Sequence, residues 1–164
     1  KRELPNNGWI SIFDRSHYED IVMPRIYKTQ PEEVWQARYD EINRFESQLT
    51  ADGCAIIKTF LVVRKDEQKR HLLSRLDDPT KCWKFDPSDL EARARWDDYM
   101  AAWQDVFLRT STEQAPWYLV PADNRWYSRA VVSELLRNTL KNMNMIWPPL
   151  EVDADEMRRQ LDTL

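Results

Sequence analysis

The chain has 164 residues, 42% of them apolar and 32% charged, with a formal net charge of −4. That length supports one domain with its own core. The negative balance argues against a broad basic nucleic-acid footprint, no apolar run approaches the roughly 18 residues of a membrane span, and the polar start Lys1–Asn7 is not a signal peptide.

There are eight Trp, three of them (Trp83, Trp96 and Trp126) beside a charged residue, which suggests a site or an interface as well as a core, and there are only two glycines, Gly8 and Gly53. A glycine-rich phosphate loop of the GxxxxGK or GxGxxG type is therefore excluded from this sequence. Cys54 and Cys82 lack metal-ligand spacing and read as free thiols of a reducing cytoplasm, so the expected location is cytoplasmic.

Along the chain, Trp9–Phe13 reads as a short buried strand ending in Asp14-Arg15-Ser16. Gln30-Pro31-Glu32-Glu33 opens a helix, with Pro31 at its first position. Its apolar positions recur through Leu49, and Gly53 closes it. Ala55–Val63 is a nearly continuous β-branched run, expected to be a strand covered on both faces. Lys65–Leu76 is a charged helix, and Asp77–Phe85, broken by Pro79, is expected to be a mobile loop. Asp86 caps a helix predicted to run to about Arg109. Trp117–Val120 is a strand, Asn124–Asn144 a long helix, and Pro148-Pro149 leads into an acidic tail or short terminal helix. Strands separated by long helices predict an α/β fold with a parallel sheet flanked by helices.

Three constellations could carry chemistry. Asp14-Arg15-Ser16 puts an acid, a guanidinium and a hydroxyl at a strand's carboxyl end, where open α/β sheets bind ligands and where an Asp commonly serves Mg²⁺ on a nucleotide; a helix-capping Asp is the alternative. Arg70, Arg75, Lys81, Lys84, Arg93 and Arg95 form a cationic series around the Pro-broken segment. Residues 64–95 hold nine Lys/Arg against seven Asp/Glu, so a solvated helix face is the plain alternative to a lid that closes on phosphate. In Arg95-Trp96-Asp97-Asp98-Tyr99, Arg93 and Asp97 are four apart and could pair on one helix face, which is preferred to a paired-acid metal site. His17 and His71 are not expected to ligate metal.

Phe13-Asp-Arg-Ser-His-Tyr-Glu-Asp20, Asp78-Pro-Thr-Lys-Cys-Trp-Lys-Phe85, Arg95-Trp-Asp-Asp-Tyr99, Thr110-Ser-Thr112, Ala115-Pro-Trp-Tyr118 and Val120-Pro-Ala-Asp123 together resemble the family-2 polyphosphate kinases. The His-Tyr-Glu-Asp variant and the Asn124-Arg-Trp-Tyr127 ending resemble the class III branch. The resemblance spans about residues 8–147. It implies a P-loop-kinase-like fold with a helical lid at about residues 77–109, followed by a tail from 148 to 164. It also implies Mg²⁺ and reversible phosphoryl transfer between inorganic polyphosphate and AMP or ADP, with guanine nucleotides as the alternative; beside it, composition and the missing strand give the expectation of a cytoplasmic homo-oligomer that engages neither nucleic acid nor membrane. Carried over by position, Asp14 resembles the Walker B acid that holds the metal, and Arg15 a phosphate-contacting Arg. Arg25, Arg75, Lys81, Lys84 and Arg93 fall where phosphate contacts and lid cations are expected. No general base is required, since a nucleotide phosphate is already ionised at neutral pH.

The family's Walker A loop, with its strand, precedes the Asp-Arg-Ser strand, and this sequence does not contain it. That strand would lie between the Asp14 strand and Ala55–Val63. The expectation is a C-terminal portion of such a kinase, inactive alone and prone to strand exchange. The runner-up is a non-catalytic domain for polyphosphate binding or oligomer assembly.

Overall fold

The structure, a computed structural model, describes residues 4–149 and 151–164. Two parallel strands, β1 (Lys58–Val62) and β2 (Trp117–Pro121), pair from Lys58 opposite Trp117 to Val62 opposite Pro121. The crossover between them carries helices α3 (Lys65–Asp77), α4 (Ser88–Ala94) and α5 (Trp96–Thr110). Before it come α1 (Glu19–Tyr27) and α2 (Glu32–Ala51); after it come α6 (Arg125–Asn142) and α7 (Ala154–Leu161). The result is the expected α/β arrangement with a parallel sheet.

Helices α1, α2 and α5 enclose the core. Ile21, Val22 and Ile26 of α1 meet Tyr39 and Ile42 of α2 and Ala102 and Val106 of α5, with Tyr18 sealing one end. The spacings of three and four put each set on one helix face. Aromatic rings then tie α5 to both strands: Phe60 lies 4.9 Å from Trp103 and 5.0 Å from Phe107, and Trp117 lies 5.5 Å from Phe107, centroid to centroid. Edge-to-face contacts of this kind add to the burial of large rings.

Local signals set several boundaries. Gly53, at φ 87°, takes the left-handed position after α2. Its N–H donates to the Thr50 carbonyl at 3.1 Å, and Cys54 N–H to Leu49 at 2.9 Å, so two end carbonyls are satisfied as a glycine there allows. The Asp86 carboxylate accepts from Ser88 N–H at 2.8 Å ahead of α4, and Asp153 accepts from Asp155 and Glu156 at the start of α7. Pro31 stands just outside α2, as its N-cap, with ψ 151°.

Four expectations need correction. Trp9–Phe13 is no strand, and Trp9, Ile10, Ile12 and Phe13 are 52–89% exposed. A strand needs a ladder partner, and no strand pairs with this segment among the described residues. Leu61 and Leu119, 52% and 55% exposed, show that the sheet is not covered as a parallel sheet usually is. Among the described residues each strand has one neighbour, so neither outer edge is paired there. The helix expected from Asp86 to Arg109 breaks at Arg95 into α4 and α5. As a result Arg93 does not pair with Asp97; it donates to the Lys65 carbonyl and to Gln68, both at 2.7 Å, and so ties α4 to α3. Finally, α1 escaped notice, because Pro24 inside it disguises a one-faced pattern.

Candidate functional site

Just beyond the carboxyl ends of β1 and β2 the chain turns into Arg64 and Asp123. Arg64 N–H donates to Asp123 Oδ1 at 2.9 Å and its Nε to Oδ2 at 2.5 Å. Ala122 N–H adds a bond to the Val62 carbonyl at 2.8 Å. These contacts lock the two strand ends together. The Asp123 carboxyl is held below its usual range by the Arg64 backbone amide and then by its guanidinium.

On this base sits a groove of about 860 Å³, lined by cations from four directions. Arg64 follows β1, Arg70 and Arg75 come from α3, Lys81 and Lys84 from the turn before α4, and Arg125 from the start of α6. Glu67 and Asp123 are the lining carboxylates, with His71 and Ser74 between them. Position follows topology: the C-terminal end of a parallel sheet is where loops and helix starts converge.

Three of the residues expected from sequence, Arg75, Lys81 and Lys84, are brought together here. Arg75 donates to Asp89 at 3.2 Å, Lys81 pairs with Asp78, and the Lys84 ammonium lies 5.1 Å from the Trp83 ring. The segment expected to be a mobile loop runs through turns, with a 3₁₀ turn at Cys82–Lys84. Trp83 Nε1 donates to the Thr80 carbonyl at 3.0 Å and leaves its ring 75% exposed.

The other four do not line the groove. Asp14 is exposed, with no hydrogen bond or ion pair among the described residues. Arg15 is exposed too and takes the left-handed conformation, φ 66°, which is uncommon for a residue with a Cβ; its guanidinium lies 3.6 Å from Glu19. Arg25 bonds Asp105 at 2.5 Å, linking α1 to α5, with its guanidinium 5.5 Å from the Trp35 ring. Burial opposes its charge, but Asp105 outweighs that and raises its pKa. Arg93 is the tie between α4 and α3.

Sequence inspection missed Arg64, Asp123 and Arg125 as groove residues. It also missed a buried polar cluster under the Asp14 turn. Lys58 Nζ donates to Glu46 Oε2 at 2.7 Å, the Thr110 carbonyl at 2.7 Å and Tyr18 Oη at 3.0 Å. Tyr18 Oη donates to Glu46 Oε1 at 2.6 Å, and His17 Nε2 lies 3.4 Å from the same oxygen. Residues 17 and 18 follow Asp14-Arg15-Ser16 directly, so the turn is moored to the sheet through β1. Neither histidine joins a metal-ligating group among the described residues; His71 lies 2.9 Å from Glu67.

Burial pushes the Glu46 carboxyl up, but donors from His17, Lys58 and Tyr18 together hold it below its ordinary 4.5. A depressed carboxyl stabilises the fold above its ordinary value, and that stability is lost as pH falls through the folded value. Burial also lowers Lys58, so its charge costs stability at neutral pH, and the cost fades as pH rises toward its ordinary 10.5. The thermal midpoint should therefore drop as pH falls from about 5 to about 3. Glu46→Gln should flatten that acid limb in a pH series of melts, and an unchanged slope would contradict the assignment.

The model of the family described as Polyphosphate kinase 2 matches residues 1–148. The chain is 43% identical over 156 residues to an AMP/ADP-polyphosphate phosphotransferase of Meiothermus ruber, a match covering 95% of this chain and 58% of that protein. It is 40% identical over 176 residues to an ADP-polyphosphate phosphotransferase of Rhodopseudomonas palustris, covering 98% and 61%. Its fold superposes on the crystal structure of polyphosphate kinase 2 from Arthrobacter aurescens with a TM-score of 0.96 at 42% identity, over 99% of this chain and 58% of that one. The chain thus spans about three-fifths of the length of the curated relatives it matches.

Proposed function

Because the chain belongs to the polyphosphate kinase 2 family, we propose that it serves phosphoryl transfer between inorganic polyphosphate and adenine or guanine nucleotides, with AMP and ADP as acceptors, and that the cationic groove is where it holds phosphate. Convergence of six Lys and Arg on one groove at the carboxyl ends of the parallel strands carries this proposal.

Phosphoryl transfer asks little covalent work of a protein. It needs the donor and acceptor phosphates held in line and cations set against the charge spread over the transferring group. Arg64, Arg70, Arg75 and Arg125 supply planar forks suited to phosphate oxygens, and Lys81 and Lys84 supply movable point charges. We assign Arg15 to phosphate as well. Arg25 and Arg93 enter as supporting cations, since each already bridges two helices. We take residues 1–147 as part of the kinase domain, 77–109 as its lid and 148–164 as a tail.

We assign Mg²⁺ to Asp14, which lies outside the groove lining. Its carboxylate is exposed and unengaged among the described residues, and Mg²⁺ on nucleotides commonly takes one or two protein carboxylates alongside phosphates and water. Bound there with the phosphates, the ion would supply charge neutralisation on their oxygens. The proposal extends to a homo-oligomer, supported by the exposed Trp9, Ile10 and Ile12, and to a cytoplasmic setting, in keeping with free Cys54 and Cys82. No helix among the described residues is long and apolar enough to cross a membrane.

Polyphosphate should quench or shift the fluorescence of the exposed Trp83 beside Lys84. Raising salt from about 50 to about 200 mM should weaken binding by about tenfold or more, as for other polyanions held by several cations. Absence of binding at low salt would remove the groove from the proposal.

A further inference from the structure

Four of the six groove cations are already matched to a carboxylate. Arg70 pairs with Glu67 and Arg64 with Asp123, and those two acids line the groove themselves. Lys81 and Arg75 differ: their partners, Asp78 and Asp89, are not lining residues. They hold the two cations from outside the lining, so a phosphate in the groove must win each cation from its carboxylate.

The Asp78 pair is built to open. Asp78 Oδ1 accepts from Thr80 N–H at 2.9 Å and from the Thr80 hydroxyl at 2.7 Å. Only Oδ2 faces Lys81, so the carboxylate stays hydrogen-bonded when the ammonium leaves. Lys81 makes its side-chain bond with Asp78 alone among the described residues, and its side chain is 56% exposed. Swinging a four-carbon stem from one oxygen to another costs little. The Asp78 carboxyl, held at about 2 by Lys81 and by Thr80, remains a charged competitor across the physiological range.

We propose that Asp78 is an internal counter-ion that competes with polyphosphate for Lys81, and thereby sets how tightly and how salt-sensitively the groove holds its ligand. Polyphosphate binding then proceeds by exchange: a phosphate oxygen replaces the Asp78 carboxylate at the ammonium, and the released carboxylate recruits a solution cation. Asp89 plays the same part for Arg75. The proposal rests on the groove being a polyphosphate site, and the test separates the two.

Asp78→Asn keeps the Oδ1 acceptor for Thr80 and removes the charge, so the turn should survive. Long-chain polyphosphate is titrated into the chain by calorimetry at low salt. Asp78→Asn should bind about three- to fivefold tighter than the parent, the scale of an exposed ion pair plus one lost repulsive charge, and its affinity should fall more steeply with salt. Asp40→Asn, an equal charge change on the exposed face of α2, should bind about as the parent does. In a Lys81→Ala background the gain from Asp78→Asn should vanish, since a double-mutant cycle isolates the pair. Asp89→Asn is the independent second variant, with Arg75→Ala as its background.

If the parent binds and Asp78→Asn matches Asp40→Asn, the counter-ion proposal is wrong while the groove assignment stands. A gain that persists without Lys81 also overturns it, because the effect is then diffuse charge. If neither the parent nor the variants bind, the groove assignment itself fails, and the exchange with it.

Discussion

Lys58→Met should destabilise the chain by about 3–5 kcal/mol, the range seen when one member of a buried ion pair is removed. At roughly 2–4 °C per kcal/mol for a chain of this size, the thermal midpoint should fall by about 6–20 °C. Lys58 and Glu46 keep 5% and 3% of their side-chain surface, so solvent cannot replace what the ammonium supplies. Deleting it leaves the Glu46 carboxylate charged in an apolar setting, and takes a donor from the Thr110 carbonyl and another from Tyr18. The double variant Glu46→Gln, Lys58→Met should recover part of the loss, because no uncompensated charge stays behind. Chemical denaturation of the three variants checks this. A Lys58→Met penalty under about 1 kcal/mol would mean that water reaches the cluster and that the pair is not the keystone of the β1 start.

That cluster also marks the limit of what the sequence discloses. Lys58 interrupts an apolar run expected to be covered on both faces, and no partner for it stands nearby in sequence; its partners lie on α2, before α1 and at the end of α5, up to 52 positions away. Pairing at that distance leaves no periodic trace. What was legible is local: the Gly53 stop of α2, the Asp86 cap, the β-branched run of β1 and the short apolar β2, each of which acts within a few residues. Helix α1 was hidden by Pro24, and Arg95 divided a helix that spacing alone would have kept whole.

The groove follows the same division. Arg75, Lys81 and Lys84 were found because they cluster in sequence around a Pro-broken segment. Arg64, Asp123 and Arg125 were not, because what joins them is the parallel pairing of β1 with β2, which brings residues 59 positions apart into contact. The Asp14 segment shows the converse. Its apolar residues carry a sound strand pattern, but a strand forms only where a neighbour offers a ladder, and the pattern alone cannot provide one.

Asp14→Asn carries the other large expected effect. In whatever length of chain turns over polyphosphate, it should cut turnover by about a hundredfold or more, equivalent to about 3 kcal/mol of transition-state stabilisation. The substitution preserves shape and removes one charge. Since Asp14 is exposed and makes no hydrogen bond or ion pair among the described residues, stability should change by less than about 0.5 kcal/mol. A carboxylate that does nothing for the fold, set beside Arg15 in a left-handed turn that non-glycine residues seldom adopt, is better explained by chemistry than by packing. If its part is to hold Mg²⁺ with the phosphates, the variant should also need more Mg²⁺ to reach half-maximal rate, which a purely structural role would not produce. Turnover near that of the parent at saturating Mg²⁺ would remove Asp14 from the metal site. A hundredfold loss with an unshifted Mg²⁺ requirement would instead assign Asp14 to orienting Arg15 toward phosphate.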